Sequence, residues 1–231
     1  MQRTLLGIVL LVLACSSANA ALLERVGGQA YYDTDSGLTW VADANLAQTT
    51  GYDDDGQTDW YQAMAWIDSL NAAGYLGVND WRLPAAIDTG TPGCNYAYSG
   101  TDCGYNLDPA ASELGRMYLG TLGNLSIYDT NGNEPLCSYY YPACLTNTGP
   151  FSNLLPGVYW SGTEYTAEPR FLDFVWDFGT AYGLQNISEK SNPNYYSWAV
   201  RDGDIAAVPA PATVWLLGTA LGAVAWRRRK A

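Results

Sequence analysis

An α+β fold is predicted for the chain between residues 21 and 207. Three observations predict it: helical spacing of apolar residues is confined to two stretches of the first half, the second half reads as short strands, and a hairpin signature stands near the start. The hairpin is Tyr31 to Trp40, strand, polar turn and strand, with Gly37 in the turn. After the acidic segment Tyr52 to Gly56, Thr58 or Asp59 is placed to cap a helix. Trp60, Ala63, Met64, Ile67 and Leu70 recur at helical spacing, so one stripe is buried as far as about Ala73, and Gly74 stops the helix. Asn79 to Pro84 follows as a short strand. A second helix starts at Pro109, runs through Ser112, Glu113, Leu114, Met117, Tyr118 and Leu122, and stops at Gly123. Strands then fall at Gly157–Ser161, Phe171–Phe178 and Tyr195–Arg201, forming an antiparallel sheet closed by the N-terminal hairpin.

Both flanks read as targeting segments. Residues 1–20 have Arg3, an apolar run from Leu5 to Leu13 and the small-residue site Ala18-Asn19-Ala20, the pattern of a secretory signal peptide cut after Ala20. A lipoprotein acceptor at Cys15 is the competing reading of the same stretch. Residues 208–231 combine Val208-Pro209-Ala210-Pro211-Ala212, an apolar stretch to Trp226, and the basic cluster Arg227, Arg228, Arg229 and Lys230. The apolar stretch spans about 24 Å as a helix, short of the roughly 30 Å hydrocarbon core. The basic cluster holds the C-terminus on the cytoplasmic side, and the prolines keep the approach extended and open to a protease. An ordinary single-span anchor is the alternative.

All 23 acidic residues fall in the body between these flanks, against six basic ones, Arg25, Arg82, Arg116, Arg170, Lys190 and Arg201, which leaves it at −17. That charge repels polyanions, so nucleic acid and anionic lipid are excluded as ligands. Four cysteines remain there, Cys94, Cys103, Cys137 and Cys144, an even number in an oxidising compartment. Of the three possible pairings, Cys94 with Cys103 and Cys137 with Cys144 is favoured, because each pair brackets a short Gly-, Tyr- and Asn-rich loop. The chain has no histidine, which removes Ser-His-Asp and Cys-His catalysis and histidine zinc sites.

The order Asp35-Ser-Gly-Leu-Thr-Trp40, Asp80-Trp-Arg-Leu-Pro84, Ser112-Glu-Leu114, Tyr159-Trp-Ser161, Asp177-Phe-Gly179 and Ala199-Val-Arg201 resembles the family built around the C-terminal domain of the Lcl adhesin. The tail, with Ala210 where the namesake motif has glutamate, resembles the PEP-CTERM signals processed by exosortase-type enzymes. The first resemblance implies a C-type-lectin-like architecture, two helices packed on twisted antiparallel sheets with disulfide-stapled loops and neighbouring termini. It also implies surface display and, for the adhesin itself, binding to sulfated polysaccharide. A body at −17 is poorly suited to a sulfated ligand, so only glycan binding carries over.

These readings converge on an exported, non-catalytic protein, held at the inner membrane by its C-terminal segment and then released to the cell surface or beyond. Its expected partners are an exosortase-type enzyme and extracellular polysaccharide. A structural matrix or coat protein without a soluble ligand is the alternative, followed by a carboxylate-based glycan-processing enzyme. Candidate ligand contacts are the loop tyrosines Tyr139, Tyr140, Tyr141, Tyr195 and Tyr196, with Arg82; Arg82 and Arg201 are better suited to satisfying a buried carboxylate or backbone carbonyls than to touching a ligand. Trp81, Trp160, Trp176 and Trp198 are expected in the core. Asp53, Asp55 and Asp59, with Gly56 between them, space carboxylates as calcium loops do; a solvated turn and helix cap is the other reading, and calcium is the one cofactor the sequence suggests.

Overall fold

The computed structural model describes residues 21–88, 97–98, 101–133 and 137–205. The signal-peptide and sorting-tail expectations, together with Cys94, lie outside these residues. Among them, no helix is long and apolar enough to cross a membrane.

Two sheets form the frame. Strands β1 (Leu22–Arg25), β2 (Ala30–Asp33), β3 (Leu38–Val41) and β10 (Val200–Asp202) make a four-stranded antiparallel sheet in the order β1-β2-β3-β10. The second sheet has six strands: β4 (Gln57–Thr58), β5 (Gly104–Tyr105), β6 (Val158–Glu164), β7 (Phe174–Gly179), β8 (Leu184–Glu189) and β9 (Tyr195–Tyr196). Its order is β4-β9-β6-β7-β8-β5, antiparallel except where β6 meets β9. The expected hairpin is β2–β3, with Gly37 at φ 72° in its turn.

The helix expected from residue 60 is α2, Trp60–Ala72; a single turn, α1 (Leu46–Thr49), precedes it. Asp59 caps α2: its carboxylate accepts from Gln62 N, and the Gln62 side chain returns to the Asp59 backbone. Gly74 ends it in the left-handed region at φ 61°. Its buried stripe also includes Trp66, which the periodicity reading omitted, while Met64 is only partly buried. Asn71 in the last turn clamps the next segment, accepting from Trp81 N at 2.8 Å and donating to Trp81 O at 2.9 Å. The backbone of Arg82 then pairs with Val200 in an isolated bridge rather than a full strand.

Tyr159 and Trp160, adjacent on β6, divide the core, since successive strand residues face opposite sides of a sheet. Trp160 joins Trp60, Trp66, Ile67 and Leu70 of α2, with Trp81 and Val175. Tyr159 joins Trp40, Trp198 and Phe178, with Leu114, Met117 and Tyr118 of the second helical segment. Buried indoles tie distant segments together: Trp160 Nε1 donates to Thr58 O, Trp60 Nε1 to Ser161 O and Trp198 Nε1 to Val41 O. The four tryptophans expected inside are each at most 2% exposed.

Three expectations change. The second helix does not run from Pro109: Pro109–Ala111 is a separate 3-10 turn, Ser112 is extended (φ −155°, ψ 129°), and its hydroxyl caps α3 (Glu113–Gly115) by accepting from Gly115 N. A π-helical turn, Arg116–Thr121, continues α3. The strand expected over Tyr195–Arg201 splits into β9 and β10, one in each sheet, because Trp198 turns inward between them. The single sheet is therefore two, and β1, β4, β5 and β8 are additions the sequence reading did not contain. Arg25 of β1 binds Asp204 through Nε and Nη2 at 2.6 and 2.7 Å, so the two ends of the described chain meet.

Candidate functional site

One end of the six-stranded sheet gathers exposed tyrosines. It is built on the turn between β7 and β8, where Gly183 N donates to Gly179 O at 2.9 Å. Gly183 has φ 63°, and a Cβ there would lie 2.8 Å from Ser126 Cα, so glycine lets a neighbouring segment close on the turn. That segment bonds along it: Ser126 Oγ donates to Gly183 O at 2.7 Å and Ile127 N to Tyr182 O at 3.0 Å. From the other side Cys144 N donates to Ala181 O at 3.0 Å, which fixes the loop closed by the Cys137–Cys144 disulfide. This pairing agrees with the expected one; Cys103 is disulfide-bonded too.

The stapled loop displays its tyrosines. Tyr139 is 50% exposed, Tyr140 83% and Tyr141 80%, and the Tyr139 ring lies 6.5 Å from Tyr182, itself 40% exposed. A second group sits behind Ser126: Tyr98, Tyr105 and Tyr128 pack with ring centroids 4.8–6.3 Å apart. Asn106 holds it, its amide donating to Tyr98 O and Tyr128 O at 2.9 and 2.8 Å. The Asn133 side chain and backbone N–H groups of the adjoining turn hold the Asp129 carboxyl below its usual range. The result is a hydroxyl-bearing aromatic surface edged with amide groups and the Asp129 carboxylate. Contiguous exposed aromatics of this kind mark binding surfaces more than folding needs.

The other sequence candidates sit elsewhere. Tyr195 and Tyr196 are not in a loop: they form β9, half-buried, with rings 4.5 Å from Trp160 and 5.3 Å from Tyr159. The strand pairing of β9 with β4 and β6 withdraws them from a shared surface with Tyr139–Tyr141. Arg82 is an internal clamp, bidentate to Glu113 at 2.6 and 2.8 Å and reaching Asp202 at 2.5 Å. Burial works against its charge, but these carboxylates outweigh it and raise its pKa. Arg201 similarly forks onto Asp80, which holds the Asp80 carboxyl low.

Asp53, Asp55 and Asp59 are turned to their own backbone. Asp53 Oδ1 accepts from the N–H groups of Asp55 and Gly56, Asp55 from Gln57 N, and Asp59 from Gln62 N. Among the described residues no three His, Cys, Asp or Glu side chains converge to hold a metal ion. The calcium expectation thus gains no geometric support among the described residues.

One acidic group stands out inside. Asp177 on β7 is 3% exposed, and its Oδ2 has no hydrogen-bond partner. Burial pushes its carboxyl up to about 7, partly opposed by the Ser188 hydroxyl, which lies 2.9 Å from Tyr195 Oη. Sealed beneath α2, it reaches no surface.

Residues 29–91 match the Lcl C-terminal domain. The match spans the β2–β3 hairpin, α2 and the Trp81-Arg82-Leu83-Pro84 segment, so both the tyrosine end and the β6–β8 strands lie outside it. Residues 207–230 match the PEP-CTERM protein-sorting motif, which covers Val208, Pro209, Pro211, Ala212 and Arg227–Arg229. The two resemblances read from the sequence are thereby shown over these ranges. The PEP-CTERM motif is a substrate signal for exosortase, and it marks export with transient membrane anchoring of the C-terminus before the protein reaches the surface or the exterior. No curated protein and no solved structure matches the chain.

Proposed function

We propose that the body is a non-catalytic, C-type-lectin-like module spanning residues 21–207, which binds extracellular polysaccharide through its tyrosine end. The observation that carries this is the display of Tyr139, Tyr140, Tyr141 and Tyr182 on a disulfide-pinned turn: a backbone that is constrained before binding loses less entropy when a ligand covers it. Tyrosine combines a broad apolar face with a hydroxyl and suits sugar rings, which are themselves apolar on one face and hydroxylated at the edge. The net charge of −17 narrows the ligand to neutral or amine-bearing polymers. Export by way of the PEP-CTERM tail brings the module to where such polymers are. Against catalysis stand the lack of histidine and the burial of Asp177, the carboxylate whose raised pKa would suit an acid catalyst.

The test is a glycan array with the exported, disulfide-intact protein, read with calcium and with a chelator. Saturable binding of neutral or amino polysaccharides in both conditions, weakened by Tyr140→Ala with Tyr141→Ala, supports the reading. No binding in either condition overturns it and leaves a structural matrix protein.

A further inference from the structure

The β7–β8 hairpin has a second end. At its open side, where β7 begins and β8 finishes, Tyr61, Leu172, Asp173, Phe174 and Glu189 line a groove of about 420 Å³. Tyr61 projects from α2 and is 54% exposed; Leu172 is 72% exposed. The two cations of the groove already have partners. Arg170 pairs with Glu168, while Lys190 binds Glu164 at 3.0 Å and lies 5.0 Å from the Trp60 ring centroid. Asp173 and Glu189 are exposed and form no side-chain hydrogen bond or ion pair among the described residues. The register brings them together: Phe174 faces Glu189 across the ladder, and Lys190 N donates to Asp173 O at 2.8 Å.

An exposed ring beside two unpaired carboxylates and an apolar side chain fits a sugar unit, with the ring face on Tyr61 and the hydroxyl or ammonium donors on Asp173 and Glu189. Unpaired carboxylates reject an anionic sugar. The tyrosine end and this groove occupy opposite ends of the same six-pair ladder, a separation of about 20 Å at roughly 3.4 Å per residue. We propose that the groove is a second polysaccharide site and that one copy of the chain bridges two polysaccharide strands. This rests on the polysaccharide reading of the tyrosine end. It turns a binding module into a cross-linker, whose effect grows with polymer length because each strand offers many sites.

The experiment uses the exported, disulfide-intact protein with two probes of one chemistry, short chitosan oligomers and long-chain chitosan, with dextran as a neutral partner and alginate as an anionic control. Calorimetry with the oligomers reads stoichiometry, and turbidity with the long chain reads cross-linking. The expected result is two oligomers per chain and rising turbidity, with alginate inert. Tyr61→Ala combined with Glu189→Gln, or Tyr140→Ala with Tyr141→Ala, should each reduce the stoichiometry to one and remove the turbidity. One oligomer per chain, lost only with the tyrosine-end variant, overturns the groove and leaves the first site standing. Binding to neither chitosan nor dextran overturns both.

Discussion

The buried tryptophans and the exposed tyrosines of this chain occupy different regions. Trp40, Trp66, Trp160, Trp176 and Trp198 are sealed in the core, whereas Tyr139, Tyr140, Tyr141 and Tyr182 stand in solvent at one end of the six-stranded sheet. Both groups are large and aromatic. The core rings are placed by alternation along strands and by bonds such as Trp160 Nε1 to Thr58 O, so they fix the relation of α2 to the two sheets. The segments that carry the surface rings are placed by a turn, a disulfide and the Ser126–Tyr128 segment, outside the core clusters. The two sets of aromatic residues are therefore held by different means, the core rings by packing and the surface loop by backbone bonds and a disulfide.

The sharpest way to break this contrast is to truncate one ring on each side of it. Trp160→Ala should cost about 3–5 kcal/mol by opening a cavity between α2 and the sheet, measured by chemical denaturation. A loss below about 1 kcal/mol would mean that the core rings are not the frame.

Asp177 sharpens the core side of the comparison. Its folded pKa of about 7 lies above the ordinary 3.8, so the folded state holds this proton more tightly than the unfolded chain does. The associated stability is fully present below about pH 4 and is lost as pH rises towards and through 7. Asp177→Asn should therefore be nearly neutral at pH 4 and stabilising at pH 8, by up to roughly 4 kcal/mol for a shift of about three units. Denaturation curves of both proteins at the two pH values check the sign. Asp80 and Asp204, held low by Arg201 and Arg25, act in the opposite direction and lose their contribution as pH falls.

On the surface side, Cys137→Ser with Cys144→Ser should cost about 2.5 kcal/mol on loop-closure grounds. It should also weaken polysaccharide binding by loosening the loop of Tyr139–Tyr141, so that a lower unfolding midpoint in denaturant is accompanied by a lower affinity for the same polymer. The smallest stability effect belongs to Tyr140→Ala with Tyr141→Ala, within about 0.5 kcal/mol, since both rings are exposed.

The legible parts of the fold were local ones. The cap at Asp59, the apolar stripe of α2, the Gly74 stop and the Gly37 turn each depend on residues within one element or its immediate flanks. The second helix misled because Pro109 is a good first residue, yet Ser112 competes as a cap three positions later and starts a new helix. Strand β8, Leu184–Glu189, carries few apolar residues and is defined by its ladder to β7, a long-range fact with no local signature. The same applies to the site. Tyr139–Tyr141 stand out in sequence as proposed contacts because cysteines bracket their loop, whereas Tyr182 and the Tyr98, Tyr105 and Tyr128 group join them only through contacts with the β7–β8 turn. Tyr195 and Tyr196 looked alike in sequence but were claimed by β9.

The central claim is that the tyrosine end is a binding surface and the tryptophan core is not. It is tested most directly by comparing the affinity for dextran or chitosan of the intact protein and of the Tyr140→Ala, Tyr141→Ala variant, with stability measured on the same samples. The account predicts at least a tenfold loss of affinity with an unchanged unfolding midpoint. Unchanged affinity, or a loss that follows a loss of stability, would contradict it.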